Sequence, residues 1–179
     1  MQSLISRDIF LFWFCTTFLL CSLPLNLLGQ FGVIWDQTWG GSIWEEKNGI
    51  VVLEESNTYV FGGFSSSSQS FETQSPSFGG GDAWLVWADT FGNIKREFRY
   101  GGSGKDRIHN MIEAPDDSGD IIFVGSTESP KDGVFDVANI QDFGASDIWI
   151  ARVDTSGNFV WQTRLGTDLC EEGADITVN

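Results

Sequence analysis

Cysteine is nearly absent from this chain, with Cys15, Cys21 and Cys170 the only three in 179 residues. The first two fall in an apolar N-terminal stretch, so Cys170 stands alone in the remainder of the chain and no internal disulfide framework can form. A lone thiol could pair between chains or act as a nucleophile, but no His/Asn pattern accompanies it. An ordinary loop cysteine, or one whose partner lies beyond the end of the chain, is the simpler reading. Histidine is scarcer still: His109 is the single one, and an imidazole without a second ligand speaks for packing or surface rather than catalysis. Positive charge is also short, with 10 Lys plus Arg against 25 Asp plus Glu, a formal net charge of -15 and a pI near 4.1. Such a surface repels phosphate backbones and argues against a nucleic-acid partner. It favours cations or basic surfaces, and at its simplest it keeps a protein soluble outside the cell. Only 4 Pro and 2 Met occur.

What the chain does have is 21 Gly, 15 Phe and 8 Trp. Glycine with aromatics suits many short strands joined by tight turns, and the length suits one domain with enough chain to bury a core.

The N-terminus differs in kind. After Arg7 and Asp8, the run from Ile9 to Leu20 is an apolar core of signal-peptide length, broken by Pro24, with Gly29 as a small residue before Gln30. This predicts a signal peptide over 1–29 and a mature chain from Gln30. Two alternatives stay open. An uncleaved anchor needs about 20 apolar residues, a length that the stretch from Ile9 to Leu28 reaches, although Pro24 and Asn26 interrupt it. A lipoprotein signal would use Cys21, although Leu20 stands where a small residue is normally required.

The rest of the chain repeats. Trp35-Asp36-Gln37-Thr38-Trp39-Gly40-Gly41-Ser42, Arg96-Glu97-Phe98-Arg99-Tyr100-Gly101-Gly102-Ser103 and Trp161-Gln162-Thr163-Arg164-Leu165-Gly166-Thr167-Asp168 align at spacings of 61 and 65 residues, each with an apolar residue before glycine. The stretch from Asp82 to Asn93 returns from Asp147 to Asn158, repeating Asp, Trp, Asp-Thr and Gly-Asn. The stretch from Tyr59 to Ser65 matches that from Ile121 to Thr127. Self-similarity at this period marks one supersecondary unit used repeatedly.

Each unit reads as four strands, at 47–53, 58–64, 83–88 and 94–100, then at 107–114, 120–126, 148–153 and 159–165. A leading strand at 33–39 precedes them and a third unit begins near 166, with 171–178 as its start. Asp89-Thr90-Phe91-Gly92-Asn93 and Asp116-Asp117-Ser118-Gly119-Asp120 are hairpin turns in which Asp bonds local backbone and Gly takes positive φ. The strand at 83–88 is apolar on both sides, with Trp84 and Val86 pointing one way and Ala83, Leu85 and Trp87 the other. A strand buried on both faces belongs in a sheet stacked between similar sheets, as blades pack in a β-propeller.

Trp-x4-Gly-Gly-Ser, then Ile-Ile-x-x-Gly, then Asp-x-Trp with Thr-x-Gly-Asn behind it resembles the bacterial β-propeller repeats of the SBBP type, across nearly all of 31–179. The resemblance implies an all-β fold of tandem four-stranded antiparallel blades, secreted or held at the cell surface, often as cargo of the type IX secretion route. The expected organisation is a signal peptide at 1–29 and a partial propeller domain at 30–179, with units at about 40–100 and 101–165. Propellers close with about four to eight blades, so two would need further blades or another chain to complete a ring.

Acids are numerous, but Glu45, Asp106 and Glu171 fall at equivalent repeat positions, as do Asp82 with Asp147 and Asp89 with Asp154. A catalytic acid is needed once, whereas a residue recurring in each unit serves the unit. Asp116, Asp117 and Asp120 superficially suggest a calcium loop but lack the further bidentate acid of one. No catalytic, cofactor-binding or metal-ligating residue is therefore assigned. The loops between second and third strands, 65–81 with Phe71 and Phe78, and 127–146 with Lys131, Asp132, Phe135, Asp136 and Phe143, differ while their flanks repeat, which makes them the place to look for binding. The expectation is a non-enzymatic extracellular or cell-surface scaffold that binds a protein or glycan. The alternative is a propeller hydrolase whose catalytic residues lie largely outside this chain.

Overall fold

The computed structural model describes residues 33, 35–68, 76–135 and 141–178. The expected signal peptide, and the anchor and lipoprotein alternatives to it, lie outside these residues. Every described strand belongs to the unit Trp35–Asn179. No described helix is long and apolar enough to cross a membrane.

Eight strands form two antiparallel four-stranded sheets: β1 (Glu45–Leu53), β2 (Thr58–Ser65), β3 (Asp82–Asp89) and β4 (Ile94–Tyr100) in chain order, then β5 (Asp106–Glu113), β6 (Ile121–Thr127), β7 (Asp147–Val153) and β8 (Phe159–Leu165) likewise. The hairpins form where local chemistry favours them. Asp89 accepts the Phe91 and Asn93 amides at 2.9 Å each, and Asp154 accepts those of Ser156 and Asn158 at 2.8 Å. Gly92 (φ 81°) and Gly157 (φ 84°) then supply the left-handed residue that each turn requires.

The two sheets also share their irregularities. A bulge interrupts β1 between Lys47 and Gly49, and β5 between Ile108 and Asn110. A second bulge falls opposite Trp87/Ala88 in the first sheet and Arg152/Val153 in the second. At the inner bulge the facing strands come so close that a Cβ on Gly63 would overlap the Glu46 carbonyl, and one on Gly125 that of Arg107. The glycine of the Ile-Ile-x-x-Gly motif is thus a packing requirement.

The sheets stack through β5, which lies against β1, β2 and β3. Leu53, Val60, Ala83, Leu85 and Trp87 from one sheet meet Ile108, Met111, Ile121, Phe123, Trp149, Ala151 and Val153 from the other in a single core. Phe123 and Trp149 meet edge to face at 4.9 Å. Tyr100 extends the seam outward, its ring 5.0 Å from Phe159 and its hydroxyl donating to the Gly157 carbonyl at 3.0 Å. Full burial of such side chains contributes about 1.5–3 kcal/mol each, so the seam is the main hydrophobic store of the fold. β3 is buried from Asp82 through Ala88, as the two-sided apolar pattern predicts. β7 is not: Trp149, Ala151 and Val153 are buried at the seam, while Ile148, Ile150 and Arg152 on its other face are half-buried.

The expected leading strand does not form among the described residues: Val33 and 35–39 carry no strand, and neither do 171–178, where the third unit starts. Their placement nevertheless follows the repeat. Trp39 packs on Phe61 at 4.9 Å, as its counterpart Tyr100 packs on Phe123 at 6.5 Å. The bulge residue Asn48 donates to the Ile108 carbonyl at 3.0 Å, and its counterpart His109 meets the Gly173 carbonyl at 2.9 Å. Residues 35–39 thus stand toward the first sheet as β4 stands toward the second, and 171–178 stand toward the second as β5 stands toward the first. Neither has, among the described residues, the neighbouring strand that a β ladder needs, so the side-chain contacts form without the strand.

Candidate functional site

The strand ends that carry Glu45, Asp82, Asp106 and Asp147 also carry the loops between second and third strands, so the recurring acids and the variable loops meet at one end of each sheet. Asp106 is fully buried and accepts three bonds, from Gly102 N at 2.8 Å, Thr127 Oγ1 at 2.5 Å and Ser129 Oγ at 2.7 Å. Glu45 does the same work in the first sheet, accepting from Ser65 Oγ and Ser67 Oγ. Glu171 takes the Thr167 amide at 2.9 Å, four residues back, as Asp106 takes that of Gly102.

The third-strand acids form a second tier. Asp147 binds Arg164 through Nε at 3.1 Å and Nη2 at 2.5 Å and accepts Phe143 N at 3.2 Å. Asp82 accepts Phe78 N at 3.2 Å and lies 4.0 Å from Arg99. Arg164 donates onward to the Ser129 carbonyl at 2.8 Å, and Arg99 to that of Ser67. Burial pushes the Asp106 carboxyl above its ordinary range, against the bonds from Thr127, Gly102 and Ser129, and the nearby Asp82 charge adds to the rise. Burial raises Asp82 too, opposed by bonds from Ser77 and Phe78 and by the charge of Arg99. Two neighbouring acids with raised pKa values have the electrostatics of an acid–base site. Their complete burial denies a substrate access, however, and their oxygens are engaged in holding loop residues in place.

Asp116 and Asp120 have a partner that the sequence reading missed. Arg152 reaches across from β7, its Nη2 2.7 Å from a carboxylate oxygen of each, and its Nε donates to Asp120 at 2.8 Å. Hydrogen bonding from Ser118, then from Arg152, lowers the Asp116 pKa to about 2. A guanidinium therefore stands where a cation would be drawn, and among the described residues no group of three or more His, Cys, Asp or Glu is arranged to hold a metal ion. The signal was readable: Arg152 stands where Trp87 stands in the preceding unit, a charge at a core position, and such a charge needs a partner.

His109 is the extra residue of the β5 bulge. With its Nδ1 facing the Gly173 carbonyl and its Nε2 3.4 Å from Ser126 Oγ, it serves as Asn48 does one unit earlier. Cys170 is exposed and free, and its backbone forms an isolated bridge with Ser146. In the loops, Phe71 and Asp136 lie outside the described residues. Phe78 is exposed, and Asp132 accepts Ser103 N at 3.0 Å. Phe135 departs from its expected place in a binding loop: a 3-10 turn, Gly133–Phe135, buries it completely, 4.8 Å from the Trp149 ring and beneath the Arg164 guanidinium. An aromatic side chain gains more from the seam than from water.

The first sheet has a cavity of about 260 Å³ on its far face, walled by Trp35, Trp39, Phe61, Trp84 and Val86 and edged by Glu45, Glu46 and Lys47. Trp39, Phe61 and Trp84 are the repeat counterparts of Tyr100, Phe123 and Trp149, which line the filled seam around Phe135. The cavity is thus a sheet-to-sheet seam with, among the described residues, no second sheet in it. It holds apolar surface and an acidic edge, and no nucleophile paired with a base. No protein-family model matches this chain, and no curated protein matches it.

Proposed function

We propose that the chain forms blades of a β-propeller in an exported, non-enzymatic scaffold that binds a protein or glycan through the loops between second and third strands. The observation that carries this reading is the use made of the buried acids. Asp82 and Asp147 tie down Phe78 and Phe143, and Asp106 ties down Ser129, so the carboxylates position loops rather than face a substrate. Loops held in this way lose less freedom on binding, which is what a rigid display surface provides. The propeller part of the reading rests on the seam being prepared again at both ends, by 35–39 and by 171–178. Sheets stacked by a repeated operation close into a ring at about four to eight blades. Export rests on the apolar run before Pro24 and on the net charge of -15. The likeness of the motifs to SBBP-type repeats points the same way and suggests the cell surface as the place of action.

The test is a panel of extracellular proteins and glycans screened by biolayer interferometry, with the exposed loop residues Phe78 and Lys131 replaced by Ala. The expected result is a ligand whose binding weakens at least tenfold in the variants while the melting temperature is unchanged. A hydrolytic activity abolished by Asp106→Asn would overturn the reading and restore the enzymatic alternative.

A further inference from the structure

Both outer faces of the sheet pair are apolar, and they are of opposite kinds. On the second sheet, Ile148 and Ile150 are half-buried where their counterparts Ala83 and Leu85 are sealed in the seam. Along β8, Trp161 is 42% and Leu165 51% exposed, whereas Tyr100, the counterpart of Leu165, is 4% exposed. On the first sheet, Ile50 is 48% exposed where its counterpart Met111, at 3%, packs over Gly62. On the same sheet lies the cavity walled by Trp84 and Phe61, against which residues 35–39 pack. The chain therefore exposes one copy of each of the two surfaces that meet inside it.

We propose that a second copy of this chain fills that seam, the outer face of the β5–β8 sheet of one copy receiving the outer face of the β1–β4 sheet of the next. The inference rests on the stacked-blade reading above and adds the identity of the partner. Each new seam repeats the internal one, with Ile148 and Ile150 entering against Trp84 and Phe61 as Ala83 and Leu85 enter against Trp149 and Phe123. Two segments must yield. The incoming β8 takes the place of 35–39, and the incoming β1 takes that of 171–178. Both stretches lack strand pairing, so their release sacrifices no β ladder among the described residues. Such a contact is heterologous, and it closes into a ring if the rotation per sheet allows. With about four to eight blades to a ring, closure takes roughly two to four copies.

The experiment is sedimentation velocity and native mass spectrometry on the purified chain at tens of micromolar, with Ile150→Asp and Ile50→Asp as single variants. Each replaces a side chain that is not buried, and circular dichroism with a thermal melt verifies that the fold is retained. The expected results are discrete complexes of two to four copies for the parent and monomers for each variant. An equimolar mixture of the two variants should give a dimer and nothing larger, because one intact face remains on each. A ladder of sizes in the parent keeps the contact and discards only ring closure. A monomeric parent, a variant that assembles as the parent does, or a mixture that stays monomeric overturns the proposal. Ligand binding by Phe78 and Lys131 is read on the monomer, so failure of self-assembly and failure of the binding reading are separable.

Discussion

Replacing Asp106 with Ala separates an architectural acid from a functional one. Asp106 is fully buried and accepts bonds from the Gly102 amide and the Thr127 and Ser129 hydroxyls. Removal strands a buried amide, at about 1–3 kcal/mol, and leaves two hydroxyls that can partly turn elsewhere, at about 1 kcal/mol each. Relief comes from no longer burying a carboxyl whose pKa is already raised, so the expected net loss is about 2–4 kcal/mol. Asp106→Asn keeps the shape and an acceptor and should lose about half as much. Glu171→Ala, at the same repeat position but with its carboxylate bonded only to Thr167 among the described residues, should cost less than either change at Asp106 because water replaces the carboxylate. Urea unfolding followed by tryptophan emission reads all three, with an unchanged m-value as the check on two-state behaviour. An Asp106→Ala variant as stable as the parent, or more stable, would refute the reasoning. Functional carboxylates are commonly held at a cost to stability, and their removal relieves it.

Gly125→Ala should destabilise by more than about 2 kcal/mol, since the new methyl meets the Arg107 backbone rather than a side chain that can swing away; the same urea assay measures it. Trp149→Ala should cost about 3–5 kcal/mol, since it removes the ring between Phe123 and Phe135, and thermal melting will show whether folding survives. The pH dependence has two opposed parts. Asp106 has a folded pKa above its unfolded one, so its contribution is complete below the ordinary carboxylate range and is lost as pH rises through the folded value. Asp116, held at about 2, contributes above the ordinary range and loses its contribution as pH falls toward about 2. Melting temperature against pH should therefore lose part of its fall on the higher-pH side in Asp106→Asn, Asp82 supplying another part, and part of its acid-side fall in Asp116→Asn. Neither calcium nor a chelator should move the melting temperature of the parent, because the Arg152 guanidinium already bridges Asp116 and Asp120 and takes the place of a cation between them; a shift on adding calcium would count against that assignment.

All eight strands were legible in the sequence because the motifs that mark their ends are local. The Asp-Thr-x-Gly-Asn turns fix where β3 and β7 stop, and the fourth strands at 94–100 and 159–165 come directly after them. The sharing of one seam by two sheets was legible in the two-sided apolar pattern of β3. Less legible was anything requiring a partner distant in sequence. The roles of Asn48 and His109 depend on a carbonyl 60 and 64 residues away, respectively, and Phe135 reads as a loop aromatic until the Trp149 ring beneath it is known. The expected leading strand at 33–39 failed for a related reason, and the start of the third unit at 171–178 likewise carries no strand. Residues there have the right composition, but a strand is completed by its neighbour, and composition alone does not supply one.

The departures from the repeat are therefore more informative than the repeat itself. Where two units agree, as in Asp89 with Asp154 or Gly63 with Gly125, the shared geometry explains the shared residue and leaves nothing for function to explain. Where they disagree, a specific compensation is present: Arg152 in place of Trp87 brings two carboxylates with it, and Phe135 fills a seam whose counterpart in the first sheet is an open cavity. The outer face of β7 is a departure without a compensation among the described residues, since Ile148 and Ile150 replace sealed counterparts and remain half-buried. Apolar side chains left in that state by a repeat that buries them elsewhere call for another sheet, and the far face of β1–β4 carries Trp84 and Phe61, the repeat counterparts of the Trp149 and Phe123 that share the core with Ala83 and Leu85.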